Sequence, residues 1–281
     1  MTYRLGILGY PLGHSMSPVI QQAALDHLGI DARYEAWPVP PECLAEKVQS
    51  LRASDVLGAN VTVPHKEAVI PLLDSLDDWA RTVGAVNTVV NRDGKLVGYN
   101  TDGYGFMQGL KEAGFDPSGA RVLILGAGGA ARGVVLALAE HVSSVVIANR
   151  TVERARRLAE ELRARGLSVS VVPMDGDLLC KAALESTLIV NCTTLGMKHS
   201  LQENEAPLRA EHIPQSCLAY DLVYNPLRTP FLREAEKAGA RTMGGLTMLV
   251  HQGVAAFKLW TGCDAPAGVM MKAALSALVG T

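Results

Sequence analysis

The sequence predicts an α/β protein of two domains, and three observations support this prediction. Apolar runs of strand length alternate with longer segments of helical pattern along most of the chain. The stretch 114–119, which contains Pro117, is typical of a link between domains. The length of 281 residues suffices for two buried cores. We expect an N-terminal α/β domain over 1–115, a doubly wound parallel sheet over 116–245, and C-terminal helices over about 246–281 that pack back on the first domain.

A glycine-rich turn in the second domain predicts a dinucleotide site. Val122–Leu125 is an apolar run typical of a buried parallel strand, and Gly126–Ala131 then fits the pattern G-x-G-x-x-G/A. The next segment, Ala130–Glu140, has a helical pattern, so its unpaired N–H groups and positive dipole end would face phosphates. This order predicts a Rossmann-type domain whose turn contacts the cofactor through Gly126, Ala127, Gly128, Gly129 and Ala130.

The end of the following strand indicates which dinucleotide binds. Ser144–Ala148 ends in Asn149-Arg150-Thr151, whereas a free ribose 2′-hydroxyl would usually call for Asp or Glu there. An arginine at that edge can pair with a 2′-phosphate and stack on adenine, which favours NADP(H) over NAD(H). The alternative is that Arg150 and Arg154 only form a solvated face at the start of the next helix.

The first domain shows the alternation of strands and helices most clearly. We predict strands at Arg4–Gly9, Arg33–Trp37 and Leu57–Val63, and a hairpin at Val86–Val97 with its turn at Asp93-Gly94. Helices are predicted from Pro18, at Pro41–Arg52, from near His65, and from the Asn100–Gly103 segment to about Ala113.

Polar side chains follow several of these strands and suggest a substrate site. Ser15 and Ser17 precede the Pro18 helix and can both donate to an anion, preferably a carboxylate; alternatively, Ser17 is simply the N-cap. Lys66 follows the strand ending near Val63, at the sheet edge where substrates of open α/β folds bind. A lysine at a helix start faces the positive end of the dipole, which disfavours its charged form. A lysine on a solvated face is the commoner case, so a functional Lys66 needs a partner.

Asp102 is the candidate partner of Lys66. Its alternative role, like that of Thr101, is to cap the helix that follows. Asn87 and Thr88 add a further polar pair to a strand that is otherwise apolar. Gln252 interrupts an apolar neighbourhood near the C-terminus, and a buried amide there needs partners for both of its ends.

The remaining elements continue the doubly wound pattern. We predict strands at Ser168–Val172, Thr187–Cys192 and Ser216–Leu222 and helices at Thr151–Ala164, after Pro230, from Gly244 to about Leu259, and at Ala267–Leu278. The polar loop that contains Thr194 suits the nicotinamide side of a cofactor, or is an ordinary exit from its strand. Tyr224 can offer a hydroxyl to a substrate, although packing of its ring is the commoner role of a tyrosine.

Composition excludes several functions. A net charge of −2 with interspersed acidic and basic residues leaves no basic stripe for nucleic acid and no polybasic membrane patch. The five cysteines are widely spaced without a C-x-x-C pair, as expected of reduced thiols in a cytoplasmic protein. We find no secretory leader and no apolar run near the roughly 20 residues of a membrane span. We expect a monomer or homodimer that acts on small molecules.

The ordered set of motifs resembles the shikimate dehydrogenase family over nearly the whole chain. The matching segments are His14–Pro18 (HSxSP), Asn60–Lys66 (NVTxPxK), Gly84–Thr88 (GAxNT), Asn100–Gly103 (NTDG), Gly126–Ala131 (GAGGAx) and Asn149-Arg150-Thr151 (the NRT of NADP-dependent members), followed by Asn225-Pro226 and Gly245–Gln252.

The resemblance implies reversible reduction of 3-dehydroshikimate to shikimate by NADPH, in aromatic amino-acid biosynthesis, with no metal. It makes Lys66 the acid/base and Asp102 its partner. It implies that the substrate is bound by Ser15, Ser17, Asn60, Thr62, Asn87, Tyr224 and Gln252, and that the cofactor is also contacted by Asn149, Arg150, Thr151, Arg154, Thr194, Leu222, Gly245 and Met248. The rival functions are a quinate/shikimate dehydrogenase using NAD(H), against which Arg150 argues, and a non-catalytic NADP(H)-binding regulator, against which Lys66 and Asp102 argue.

Overall fold

A computed structural model describes residues 2–13 and 15–279 and divides into two compact units. Unit 1 contains the residues up to Gly105 together with those from Val250 onward, and unit 2 is Phe106–Leu249. Both divisions fall inside helices. The predicted domain limits near 115 and 245 therefore stay a prediction.

The elements within the described residues follow the predicted alternation. The strands are β1 (Tyr3–Gly9), β2 (Ala32–Pro38), β3 (Val56–Val61), β4 (Ser75–Leu76), β5 (Thr88–Arg92), β6 (Lys95–Tyr99), β7 (Arg121–Leu125), β8 (Ser144–Ala148), β9 (Val169–Val172), β10 (Leu188–Asn191), β11 (Leu218–Asp221) and β12 (Arg241–Met243). The α-helices are α1 (Ser17–His27), α2 (Leu44–Ser50), α3 (Asp78–Val83), α4 (Asp102–Glu112), α5 (Gly129–Leu138), α6 (Val152–Arg163), α7 (Asp177–Leu184), α8 (Pro230–Lys237), α9 (Leu246–Thr261) and α10 (Ala267–Val279).

Each unit is built on its own six-stranded sheet. In unit 2 the order is β12-β11-β10-β7-β8-β9 and every pairing is parallel, which confirms the predicted doubly wound sheet. Unit 1 has the order β2-β1-β3-β5-β6-β4 and is mixed, because β5 runs antiparallel to both of its neighbours. The α/β fold class predicted from the sequence is therefore confirmed for both units.

The antiparallel strand β5 decides where the polar residues of unit 1 meet. The β5–β6 turn at Asp93 and Gly94, with φ of +53° and +85°, has the left-handed conformation that a tight hairpin needs. Because β5 runs against β3 and β6, its first residue, Thr88, pairs with Asn60 near the end of β3 and with Tyr99 at the end of β6. Strand ends that carry polar side chains thus lie side by side.

The helix predicted to begin near His65 is wrong. Lys66 lies in a turn, and only a short 3-10 helix, Ile70–Leu72, follows. The Val69 N–H makes an α-helical bond to the His65 carbonyl, but the Ile70 N–H donates to the Glu67 carbonyl instead, and Pro71 has no N–H to continue the pattern. Lys66 therefore does not begin a helix, and the helix-dipole effect predicted for it does not arise.

Separate cores stabilise the two units. In unit 1 a cluster that includes Leu8, Val61, Val89 and Leu96 fills one side of the sheet, and α1 packs on α10. In unit 2 a second cluster packs Leu123, Ile189 and Ala219 of three strands against the apolar face of α8. None of the described helices combines the length and apolarity that crossing a bilayer requires.

Candidate active site

Lys66 and Asp102 form an ion pair in unit 1. The Lys66 Nζ lies 2.5 Å from Asp102 Oδ2, and the two side chains are 16% and 6% exposed. Although 36 residues separate them in sequence, the turn after β3 and the start of α4 bring them together. Because both groups are largely removed from water, the pair is held more firmly than a surface ion pair.

The loop that carries Lys66 is fixed on both sides. The Lys66 carbonyl accepts from the Val86 N–H at 2.8 Å. The neighbouring His65 is buried, and its Nε2 donates to the Val39 carbonyl at 2.6 Å, since a carbonyl can only accept. These contacts fix the backbone at Lys66, although Lys66 is not part of a helix.

Asp102 is held by neutral donors as well as by Lys66. Its Oδ1 accepts from Asn87 Nδ2 at 2.8 Å, and its own N–H donates to Asn100 Oδ1 at 3.0 Å. Asn87 Nδ2 also reaches Thr101 Oγ1 at 2.9 Å and Gln252 Oε1 at 3.2 Å. The structure therefore brings Lys66, Asp102, Asn87 and Gln252 into one connected polar cluster.

The remaining predicted substrate residues of unit 1 lie between β1 and the start of α1, and at or just after the end of β3. Ser15 Oγ accepts from the Ser17 N–H at 3.3 Å, and Met16 rather than Ser17 occupies the N-cap of α1, so the capping alternative for Ser17 is wrong. His14, the first residue of that motif, lies outside the described residues. Thr62 is half-buried and donates its N–H to the Leu8 carbonyl at 2.8 Å. Asn60 is buried and is bonded by the Tyr34 hydroxyl.

Unit 2 contains the turn predicted to hold a dinucleotide. Gly126 directly follows β7 with φ of +107°, a backbone conformation that residues other than glycine rarely adopt. A Cβ at Gly128 would meet no atom within 4 Å, so the space above the turn is open. Helix α5 begins at Gly129, and since Gly128 has no side chain to cap it, the first amides of α5 face that space.

The end of β8 has no acidic residue. Ala148 is followed by Asn149, whose Nδ2 donates to the Thr151 carbonyl at 2.8 Å and so fixes the corner before α6. Arg150, Thr151 and Arg154 are exposed. A phosphate at this corner would therefore meet the cationic side chains of Arg150 and Arg154, while Glu153 in the first turn of α6 is bonded to Arg156.

The other predicted cofactor contacts also lie in unit 2. Thr194 is exposed in the loop after β10, Leu222 follows β11, and Met248 is buried in the first turns of α9. A Cβ at Gly245 would overlap the backbone of Leu222 and Val223, so glycine is required for this approach. Tyr224 belongs to unit 2, unlike the other six predicted substrate residues, and its role stays a prediction.

Sequence reasoning missed a buried carboxylate in unit 2. Asp221, at the end of β11, is 0% exposed and accepts from Asn191 Nδ2 at 2.9 Å, the Val223 N–H at 3.0 Å and Thr229 Oγ1 at 2.6 Å. Burial is the main cause that raises the pKa of Asp221 to about 6, and these hydrogen bonds oppose it. A single acid at the end of an apolar run was the only signal in the sequence.

The two units together define a class of protein. Unit 2 has the sheet, glycine turn and helix of a dinucleotide site, and unit 1 has a lysine–carboxylate pair suited to proton exchange. Within the described residues no group of three or more His, Cys, Asp or Glu side chains is placed to hold a metal ion. These features are those of a dinucleotide-dependent oxidoreductase.

Comparison with known proteins gives the family. Residues 7–89 match the shikimate dehydrogenase substrate binding domain, 110–212 match shikimate / quinate 5-dehydrogenase, and 245–275 match the shikimate 5′-dehydrogenase C-terminal domain. Proteins from Moorella thermoacetica and Methanopyrus kandleri, each named shikimate dehydrogenase (NADP(+)), are 50% and 48% identical over 95% and 98% of this chain and 90% and 95% of their own lengths.

A solved structure agrees with these relatives. The shikimate 5-dehydrogenase of Thermus thermophilus, crystallised with NADP(H) and shikimate, is 42% identical, with a TM-score of 0.88 over 99% of this chain and 100% of that one. The chain belongs to the shikimate dehydrogenase family.

Proposed function

We propose that this protein interconverts 3-dehydroshikimate and shikimate with NADP(H) as cofactor, a step of aromatic amino-acid biosynthesis. The observation that carries the proposal is the Lys66–Asp102 pair, whose 2.5 Å contact provides a proton donor and acceptor held in one place. The names of the relatives from Moorella thermoacetica and Methanopyrus kandleri support the same reaction and cofactor.

Lys66 would move the proton. The redox change would be supplied by NADP(H), which exchanges a hydride with the substrate carbon that is a carbonyl in one form and an alcohol in the other. During reduction the Lys66 ammonium would donate a proton to the carbonyl oxygen, and during oxidation the neutral amine would take it back. Asp102, which contacts Nζ through Oδ2, would orient the amine and balance its charge.

The substrate has a carboxylate and ring hydroxyls, and the polar residues of unit 1 match both. The hydroxyls of Ser15 and Ser17, at the start of α1, would donate to the carboxylate. Thr62, four residues before Lys66, would also contact the substrate. Asn60, Asn87, Asp102 and Gln252 supply amide and carboxylate groups for ring hydroxyls. A site that bonds hydroxyl groups in this way rejects analogues that lack them.

The cofactor proposal rests on the fit of unit 2. The open space above Gly128 and the amides at the start of α5 suit a pyrophosphate. Arg150 and Arg154 would bind the 2′-phosphate that distinguishes NADP(H), with Asn149 and Thr151 shaping the corner. Ala127, Gly129 and Ala130 of the turn and Thr194, Leu222, Gly245 and Met248 of the later loops keep their predicted roles as cofactor contacts.

A four-way assay tests the proposal directly. Purified protein is supplied with shikimate or quinate and with NADP+ or NAD+, and formation of the reduced nicotinamide is followed by absorbance. We expect activity largely confined to shikimate with NADP+. Strong oxidation of quinate with NAD+ would contradict both the reaction and the cofactor assigned here.

The compartment and assembly belong to the same proposal. We propose a cytoplasmic enzyme, which is supported by five cysteines that are all free in the described structure. We further propose a monomer or homodimer. Light scattering on a sizing column should give the mass of one or two chains, and a larger mass would contradict this.

A further inference from the structure

Five buried polar groups of unit 1 form one continuous hydrogen-bond chain that ends on Asp102. From donor to acceptor it runs Tyr34 Oη to Asn60 Oδ1 (2.6 Å), Asn60 Nδ2 to Thr88 Oγ1 (3.2 Å), Thr88 Oγ1 to Asn87 Oδ1 (3.0 Å) and Asn87 Nδ2 to Asp102 Oδ1 (2.8 Å). All five residues are at most 6% exposed. Lys66 contacts the other oxygen of the same carboxylate.

Two backbone groups fix the direction of this chain. Asn60 Nδ2 also donates to the Asn87 carbonyl at 3.1 Å, and a carbonyl can only accept, so Asn60 Oδ1 must face Tyr34. Asn87 Oδ1 also accepts from the Thr101 N–H at 2.8 Å, which can only donate, so Asn87 Nδ2 must face Asp102. Thr88 is left to accept from Asn60 and to donate to Asn87.

The chain begins at a phenol that stays protonated. Tyr34 is buried, and desolvation is the main cause that raises its pKa well above the ordinary value, while the Ser17 hydroxyl beside it acts in the opposite sense. The Tyr34 ring packs on Trp260, with centroids 6.1 Å apart, and Trp260 Nε1 donates to the Val89 carbonyl at 2.9 Å. The first donor is therefore held rigidly as well as kept neutral.

We infer that Tyr34 and Thr88 are positioning residues for the acid/base pair, acting through Asn60 and Asn87 to hold Asp102 with one oxygen turned toward Lys66. Hydrogen bonds that point the same way polarise one another in a buried setting, so each donor strengthens the next. The chain also occupies both hydrogens of the Asn60 amide, which leaves Asn60 only an acceptor position for a substrate hydroxyl. This inference rests on the proposed function, because turnover is its readout.

The experiment is a double-mutant cycle on the full-length protein. Tyr34→Phe and Thr88→Val each remove one hydroxyl from the chain and change little in shape. Thr88→Ser keeps the hydroxyl and serves as the rescue variant. Tyr220→Phe is the matched control, because within the described residues the buried Tyr220 hydroxyl has no hydrogen-bond partner. The kcat and KM for shikimate, the KM for NADP+ and thermal unfolding are measured for all variants.

We expect a graded and non-additive loss. The net contribution of one hydrogen bond corresponds to about a 2- to 13-fold change, so Tyr34→Phe should lower kcat about 3-fold and Thr88→Val, which is nearer to Asp102, about 10-fold. The double variant should lose no more than Thr88→Val alone, because the chain is already broken downstream of Tyr34. Thr88→Ser and Tyr220→Phe should retain kcat within about 2-fold, and no variant should change the KM for NADP+.

Three results would overturn the inference while the wild-type protein oxidises shikimate. These are independent effects that multiply in the double variant, a loss in Thr88→Ser equal to that in Thr88→Val, or lower thermal stability with kcat unchanged. Inactive wild-type protein would instead refute the proposed function itself.

Discussion

Each unit contains a buried aspartate beside a strand end, and the two differ in their partners. Asp102 in unit 1 is bonded by a cation, Lys66, as well as by Asn87. Asp221 in unit 2 is surrounded, among the described residues, only by neutral donors. The two carboxylates therefore have similar positions but different partners, and only Asp102 contacts the cation that the proposed proton exchange requires.

The partners also explain the different structural effects of the two carboxylates. Asp221 links Asn191, after which the 192–197 loop begins, to Thr229, which accepts from the Leu232 N–H and caps α8. Asp221 thus holds two loops of unit 2 together. Asp102 instead leaves its second oxygen to a lysine whose amine can exchange a proton.

The same substitution at both sites should separate these roles, and Asp102→Asn has the larger expected effect of the two. It leaves the Lys66 ammonium without its counter-charge and places an amide beside it. We expect kcat to fall about 10²-fold or more, the range of an acid/base group, with KM for NADP+ unchanged. Steady-state kinetics at saturating cofactor measure this. A loss of only a few fold would remove Asp102 from the acid/base pair.

Asp221→Asn should change stability rather than chemistry. The pKa of Asp221 is about 6 in the folded protein, against about 3.9 in an unfolded chain. The unfolded state therefore ionises first as pH rises, and the wild-type protein loses stability between about pH 4 and 6, on the order of 2–3 kcal/mol, relative to a variant that does not titrate.

Urea unfolding at a series of pH values compares the wild-type protein with Asp221→Asn. The difference in unfolding free energy should be constant below about pH 4 and above about pH 6 and change between them. If the two plots of unfolding free energy against pH were parallel throughout, burial would not raise the pKa of Asp221. The loss of turnover in Asp221→Asn should be much smaller than in Asp102→Asn.

Arg150→Gln should have a smaller effect and should change cofactor binding rather than turnover. The substitution removes an exposed cation just after β8, the proposed partner of the 2′-phosphate. We expect KM for NADP+ to rise about 10-fold, with kcat and the KM for NAD+ nearly unchanged. Arg156→Gln, an exposed arginine of α6 that bonds Glu153, is the control. Equal losses with both cofactors would contradict the 2′-phosphate assignment.

Much of the fold was predictable because the signals are local. The glycine turn after β7, the hairpin turn at Asp93-Gly94 and the apolar runs of β7 and β8 each specify their structure within a few residues. The Lys66–Asp102 pair was also predicted, because Lys66 follows a strand at the edge where substrates bind and the NTDG resemblance supplied Asp102 as its partner. The helix at His65 was wrong, because Pro71 stops the pattern one turn after it begins.

The supporting contacts could not be predicted because they join distant strands. Tyr34 on β2 reaches Asn60 on β3, and the alternation of β2 shows only that Tyr34 points inward. Thr88 was visible as a polar residue in an apolar strand, but its contact with Asn60 depends on the antiparallel register of β5. The donors of Asp221 likewise come from three separate segments.

The most direct test of the account replaces Lys66 itself. Lys66→Met keeps the length of the side chain and removes its amine, while Lys47→Met, at a half-buried lysine over the Trp37 ring, is the control. We predict that Lys66→Met lowers kcat about 10²- to 10⁴-fold and leaves the KM for shikimate within a few fold, whereas Lys47→Met retains activity. A higher KM with unchanged kcat would mean that Lys66 only binds substrate and that the proton is moved elsewhere.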